Sequence, residues 1–122
     1  MQAQTLHTID SLQKKEQACL DGGYRQTTCI GIFRNEMDSI MQLAYQKLYG
    51  RANGAARAAL QKDQMNWLEK QKANDNKIET EDREKYVKEE WGESAIRMFL
   101  FGSKTDFVRD RAKYLVKKLN SH

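Results

Sequence analysis

The sequence predicts an all-α fold, a small antiparallel bundle of four to five helices closed by one disulfide. Three observations predict it. Proline is absent, and the glycines stand mostly where helical patterns stop. Apolar residues recur at steps of three and four, while few stretches alternate with period two, so no convincing strand is visible. Finally, Cys19 and Cys29 flank Asp21-Gly22-Gly23, a stop signal between two helical patterns. At 122 residues, with 39% apolar and 31% charged residues, residues 1–122 read as one domain able to bury its own core. Its ends, 1–7 and 120–122, are expected to be flexible.

The first helix is expected from about Thr8, a candidate N-cap, to Cys19, with Ile9 and Leu12 inward and Gly22-Gly23 ending it. The second starts near Thr27 or Thr28 and carries Ile30, Phe33, Met37, Ile40, Met41, Ala44 and Leu48 on one stripe as far as Gly50. Asn53-Gly54 makes a turn, and a third helix follows from Ala55 to about Asn74, with Ala56, Leu60, Gln64, Trp67 and Gln71 on its inner stripe. Thr80, followed by Glu81 and Asp82, reads as the N-cap of a short helix carrying Tyr86, Val87 and Trp91 and broken at Gly92. Ser94 to Phe101 is apolar and reads as a short helix or irregular segment ended by Gly102. Ser103 or Thr105 then caps a last helix whose inward face is Val108, Ala112, Leu115 and Leu119.

The cysteines bear on location. With no Cys-x-x-Cys and no internal histidine there is no metal or redox motif, and the pair reads most simply as one structural disulfide. The other reading is two buried thiols in a cytosolic protein. Disulfides persist in oxidising compartments, so the bond implies a periplasmic or secreted protein. Met1-Gln2-Ala3-Gln4-Thr5 lacks the basic and apolar blocks of a signal peptide, which makes this the expected mature part of an exported chain. No apolar run approaches the roughly 20 residues of a membrane span.

Charge is unevenly placed within a net of +4 and a pI of about 9.1. Residues 79–93 balance at −4, with seven acids against Arg83, Lys85 and Lys88, whereas residues 104–118 balance at +4, with six bases against Asp106 and Asp110. Two such segments are expected to face each other or the solvent. A basic helix with Tyr114 is a nucleic-acid candidate, but Asp106 and Asp110 interrupt it and the acidic segment precedes it, so no nucleic-acid partner is expected. Catalysis finds little in the pattern. His7 and His122 lie near the ends, and no Ser-His-Asp set, phosphate loop or two-histidine metal helix is present. Glu81 and Glu84 read as a solvated pair, so no enzyme, cofactor or metal is expected.

The order of these residues resembles a known family. Cys19-x9-Cys29, the helix ending Leu43-Ala44-Tyr45-Gln46-Lys47-Leu48, and Leu60-x3-Gln64-x2-Trp67 are similar to the LprI-like family of bacterial secreted and lipoprotein domains. Asp38, Met41 and Tyr45 match its Asp-x-x-Leu-Asn-x-x-Tyr pattern approximately, with Gln42 in the place of the asparagine. Gly92, Ser94 and Arg111-Ala112-Lys113-Tyr114-Leu115 resemble its later glycine-serine and Arg-Ala-x-x-Leu stretches. The resemblance covers about residues 16–119. Many members carry two further cysteines, where this chain has Asn74 and Leu100 or Phe101. Losing both together fits a second bond missing as a unit, which leaves Cys19 and Cys29 as partners.

The resemblance implies a helical, exported domain in which Tyr45, Leu60, Gln64, Trp67, Arg111 and Leu115 are structural. Read from the residues, Trp67 is core packing and Gln64 a buried amide satisfied by loop backbone beside the helix. Trp91 stands at a helix end, where it can anchor a partner or pack on the last helix. Glu89, Glu90, Trp91, Gly92, Glu93 and Ser94 are therefore the candidate partner-binding residues. The family takes its name from a lysozyme inhibitor, which makes a lysozyme or another cell-wall hydrolase the expected partner. An immunity or accessory protein for a cell-wall enzyme is the alternative. Net charge gives no long-range steering toward a basic lysozyme, so the acidic segment would have to act locally. The pattern does not set the oligomeric state.

Overall fold

A computed structural model describes residues 5–23 and 25–121, and among them every regular element is helical. Helix α1 (Leu6–Asp21) begins two residues before the expected cap, Thr8. Thr5 is the N-cap: its hydroxyl accepts from the Thr8 amide at 3.3 Å, and the Thr8 hydroxyl accepts from the Thr5 amide at 3.4 Å. Thr8 thus fills the third helical position of a reciprocal capping box, and Leu6 and His7 belong to the helix. The rest of the expected flexible ends, residues 1–4 and 122, lie outside the described residues, while Asn120 closes the last helix. Gly22 caps α1, and Gly23 takes φ +72°, a left-handed conformation that costs glycine little.

Helix α2 (Gln26–Arg51) is buried along the whole expected stripe from Ile30 to Leu48, with Cys29 added at its start. Cys19 and Cys29 are bonded, with Cα atoms 5.8 Å apart, and no free cysteine remains.

Helix α3 (Gly54–Lys77) does not stop near Asn74. It runs through a π-helical turn (Ile78–Asp82) into α4 (Arg83–Lys88), with helical backbone at Lys77 and Arg83. Thr80 is consequently not an N-cap. Its hydroxyl donates back to the Asn76 carbonyl at 2.9 Å, as expected of a threonine inside a helix. The wider turn supplies a physical reason. Ile78 and Tyr86 are eight residues apart, about one more than two α-helical turns, and the π turn absorbs that residue, so both pack against the last helix.

Gly102 does not end a segment either. Helix α5 (Glu93–Asn120) is continuous, and Thr105 donates its hydroxyl to the Phe101 carbonyl at 2.8 Å instead of capping. Ile96, Leu100, Val108, Ala112, Leu115 and Leu119 keep helical phase across Gly102 and all are buried. Burying that stripe outweighs the roughly 1 kcal/mol that a mid-helix glycine costs.

The pairs that meet give the chain directions. Cys19–Cys29 and Lys15–Glu36 set α1 antiparallel to α2. Glu79–Lys104 and Asp63–Arg111 set the α3 run antiparallel to α5. Helices α2 and α5 form the most extensive helix–helix contact and run parallel, since Ile30 lies beside Gly102 and the Arg51 guanidinium donates to the Leu119 carbonyl at 2.7 Å. One core, built around Phe33, Met37, Trp67, Val108 and Leu115, spans these helices. A smaller cluster of Ile78, Ile96 and Leu100 lies beneath Tyr86 and Trp91. No helix of the described residues is long and apolar enough to cross a membrane.

Candidate partner-binding site

The turn between α4 and α5 is built by backbone closure. The Trp91 amide donates to the Tyr86 carbonyl at 3.1 Å and the Glu90 amide to the Val87 carbonyl at 3.0 Å. This nested pair is the Schellman ending, which needs a left-handed residue at its centre. Here that residue is Glu90, at φ 63°. Gly92, where the break was expected, instead serves as the extended N-cap of α5. Because Glu90 holds a conformation that disfavours a Cβ by about 1–2 kcal/mol, Glu90→Gly is expected to raise stability by about 1 kcal/mol. A higher urea midpoint at unchanged slope is the reading that checks it.

The turn carries Trp91 onto an aromatic corner. Its ring stacks on Tyr86 at 4.4 Å between centroids and meets Phe99 edge-on at 4.8 Å. Trp91 thus packs on α5, as one of its two expected readings has it, and stays partly exposed beside exposed Phe99. Phe99 belongs to this corner without standing out in the sequence, whereas Tyr86 and Trp91 are the aromatic residues already expected beside the turn. The signal common to the three is aromatic character on either side of the turn, and the Schellman closure brings them together.

The acidic residues divide into two groups. Glu79 takes Lys104 at 2.6 Å and Arg83 at 3.2 Å, and Glu93 takes Arg83 at 2.9 Å and Arg97 at 3.4 Å. The Lys104 hydrogen bond holds the Glu79 carboxyl below the usual carboxylate range, and the Arg83 hydrogen bond does the same for Glu93. Glu84 pairs with Lys88. Among the described residues, Glu81, Glu89 and Glu90 form no ion pair, and all three are exposed. Of the candidate residues, Glu93 is thus committed to the fold, Ser94 is an exposed first-turn residue of α5, and Glu89, Glu90 and Gly92 are exposed on either side of half-buried Trp91.

The basic segment is also partly occupied. Lys104 pairs with Glu79, Arg109 with Asp106 and Asp110, and Arg111 with Asp63. Lys104–Glu79 is the ion pair that joins the two oppositely charged segments; the other two cations are held from α3 or within α5.

The motif residues gather elsewhere, between α3 and α5. Arg111 is buried, and its guanidinium donates to the Gln64 amide oxygen at 2.8 and 3.2 Å and to Asp63 at 2.7 Å. It also lies over the Trp67 ring at 5.6 Å and the Tyr114 ring at 5.0 Å. The expected partner of Gln64, loop backbone, is thus replaced by a side chain of the facing helix. Leu60 and Leu115 are in the core, and half-buried Tyr45 packs against it and stacks on Tyr49. No group of His, Cys, Asp and Glu among the described residues has the arrangement of a metal site. Family models, curated proteins and solved structures provide no match to this chain.

Proposed function

We propose that this chain is a non-enzymatic interaction protein of the bacterial periplasm or exterior, and that its partner is a lysozyme or another cell-wall hydrolase. The observation that carries the reading is the α4–α5 turn. It presents the unpaired carboxylates of Glu89 and Glu90 beside the partly exposed Trp91 and Phe99. Carboxylates next to aromatic anchors suit a basic protein surface. The disulfide supports an oxidising compartment, and the resemblance to LprI-like domains supplies the identity of the partner. With Lys104, Arg109 and Arg111 already in ion pairs, the last helix presents fewer cations to a nucleic acid than its composition suggests.

Calorimetric titration with a lysozyme at two salt concentrations tests this. We expect binding that weakens with salt, and that weakens more in Glu89→Gln/Glu90→Gln than in Lys113→Gln/Lys117→Gln/Lys118→Gln. No heat and no inhibition at tens of micromolar protein, roughly the range of weak complexes, would remove lysozyme as the partner.

A further inference from the structure

Beyond the acidic turn, an open groove of about 400 Å³ runs between the end of α1, the start of α2 and the first half of α5. Its apolar lining includes Leu20, Ile30, Met98 and Phe99, and its ionisable lining residues are Asp21 and Asp106. The size suits a few large side chains. Among the described residues, no cationic side chain lines it. Asp106 is paired with Arg109 at 3.2 Å, which also holds Asp110 at 3.0 Å. Asp21 accepts from the neutral Gln17 amide at 2.8 Å. Just outside the groove, Glu16 adds a further carboxylate close enough to Asp106 to repel it. Partial burial, with a smaller contribution from Asp110, raises the Asp106 pKa despite Arg109, and burial followed by Asp106 raises that of Glu16. Arg109 offsets part of this charge at both Asp106 and Glu16, while among the described residues Asp21 has only the neutral Gln17 amide.

We infer that this groove is a docking site for a basic amphipathic segment of a protein partner, whose apolar side chains enter between Leu20, Ile30 and Met98 while a lysine or arginine meets Asp21 and Asp106. Charge complementarity selects the occupant. An acidic segment would bring like charge to the rim, and a purely apolar one would leave the two carboxylates against a desolvated contact. Phe99 belongs both to the groove and to the aromatic corner, so a partner seated here also reaches Trp91.

Amide shift mapping with two synthetic peptides tests the inference. Each is about four helical turns long with the same leucine face, and the polar face is lysine in one and glutamate in the other. The lysine peptide is expected to move the amides of Leu20, Ile30, Gly102 and Ser103 saturably, and the glutamate peptide to leave them in place. Asp21→Asn/Asp106→Asn should weaken the lysine peptide by about tenfold. Gly102→Leu, which fills the groove, should abolish binding with the far-UV circular dichroism unchanged. Equal binding of both peptides, shifts outside the groove, or unchanged affinity in the asparagine variant would overturn the inference. The peptide pair needs no variant to fold and no lysozyme, so this result is independent of the acidic-turn reading.

Discussion

Trp67→Ala is expected to lower stability by about 3–5 kcal/mol, the range for truncating a large core aromatic. Trp67 is 8% exposed, stacks on Phe107 at 5.6 Å and forms part of the central core. Its loss would also remove one of the two rings over which the Arg111 guanidinium lies, leaving a buried cation with fewer partners. Gln64→Ala should cost less, about 1–3 kcal/mol, because it removes the acceptor of two Arg111 hydrogen bonds while Asp63 remains. Urea denaturation of both variants measures the order. Unchanged midpoints for both would mean that this face of α3 does not contribute to the core.

Opening the disulfide is the second large effect. In the chain-entropy account, closing a loop of about ten residues is worth about 2.7 kcal/mol, and the Cys19→Ser/Cys29→Ser double variant should lose about that much. Cys29 is 1% exposed at the buried start of α2, so a serine hydroxyl there adds a desolvation cost. Intact mass after alkylation provides the direct check: the native protein should take no label, and the reduced, unfolded protein two. Two thiols labelled without reduction in periplasmic material would remove both the bond and the export argument.

The parts of the fold that were legible were those where one physical signal dominated. The stripe from Ile30 to Leu48 is long, regular and uninterrupted, and α2 buries all of it. The departures from the sequence expectation have a common cause: apolar phase carried through a local stop or start signal overrides it. Gly102 looked like a terminator, yet Leu100 and Val108 share one buried face across it. Thr80 looked like a cap, yet the helix had no reason to end before it. At Glu90 the reverse held, because a left-handed position filled by glutamate leaves no glycine to mark it. The candidate site was legible as composition, in its acids and Trp91. The pairs Arg83–Glu79 and Arg97–Glu93 follow from i,i+4 spacing, but Arg83–Glu93, Lys104–Glu79 and the contact between Phe99 and Trp91 depend on helix packing.

The parallel pairing of α2 with α5 affects the order in which the molecule can be assembled. The two helices in closest contact are separated along the chain by all of α3 and α4, with Arg51 meeting Leu119 at a sequence separation of 68. A chain that emerges amino end first therefore completes the α1–α2 hairpin, cysteines included, while the apolar face of α2 still lacks its main cover. Oxidation of Cys19 and Cys29 requires only local closure, whereas shielding of Phe33, Met37 and Ala44 waits for the final helix. In the interval the covalent staple holds the nascent hairpin in register, and the exposed stripe is the part most open to a chaperone.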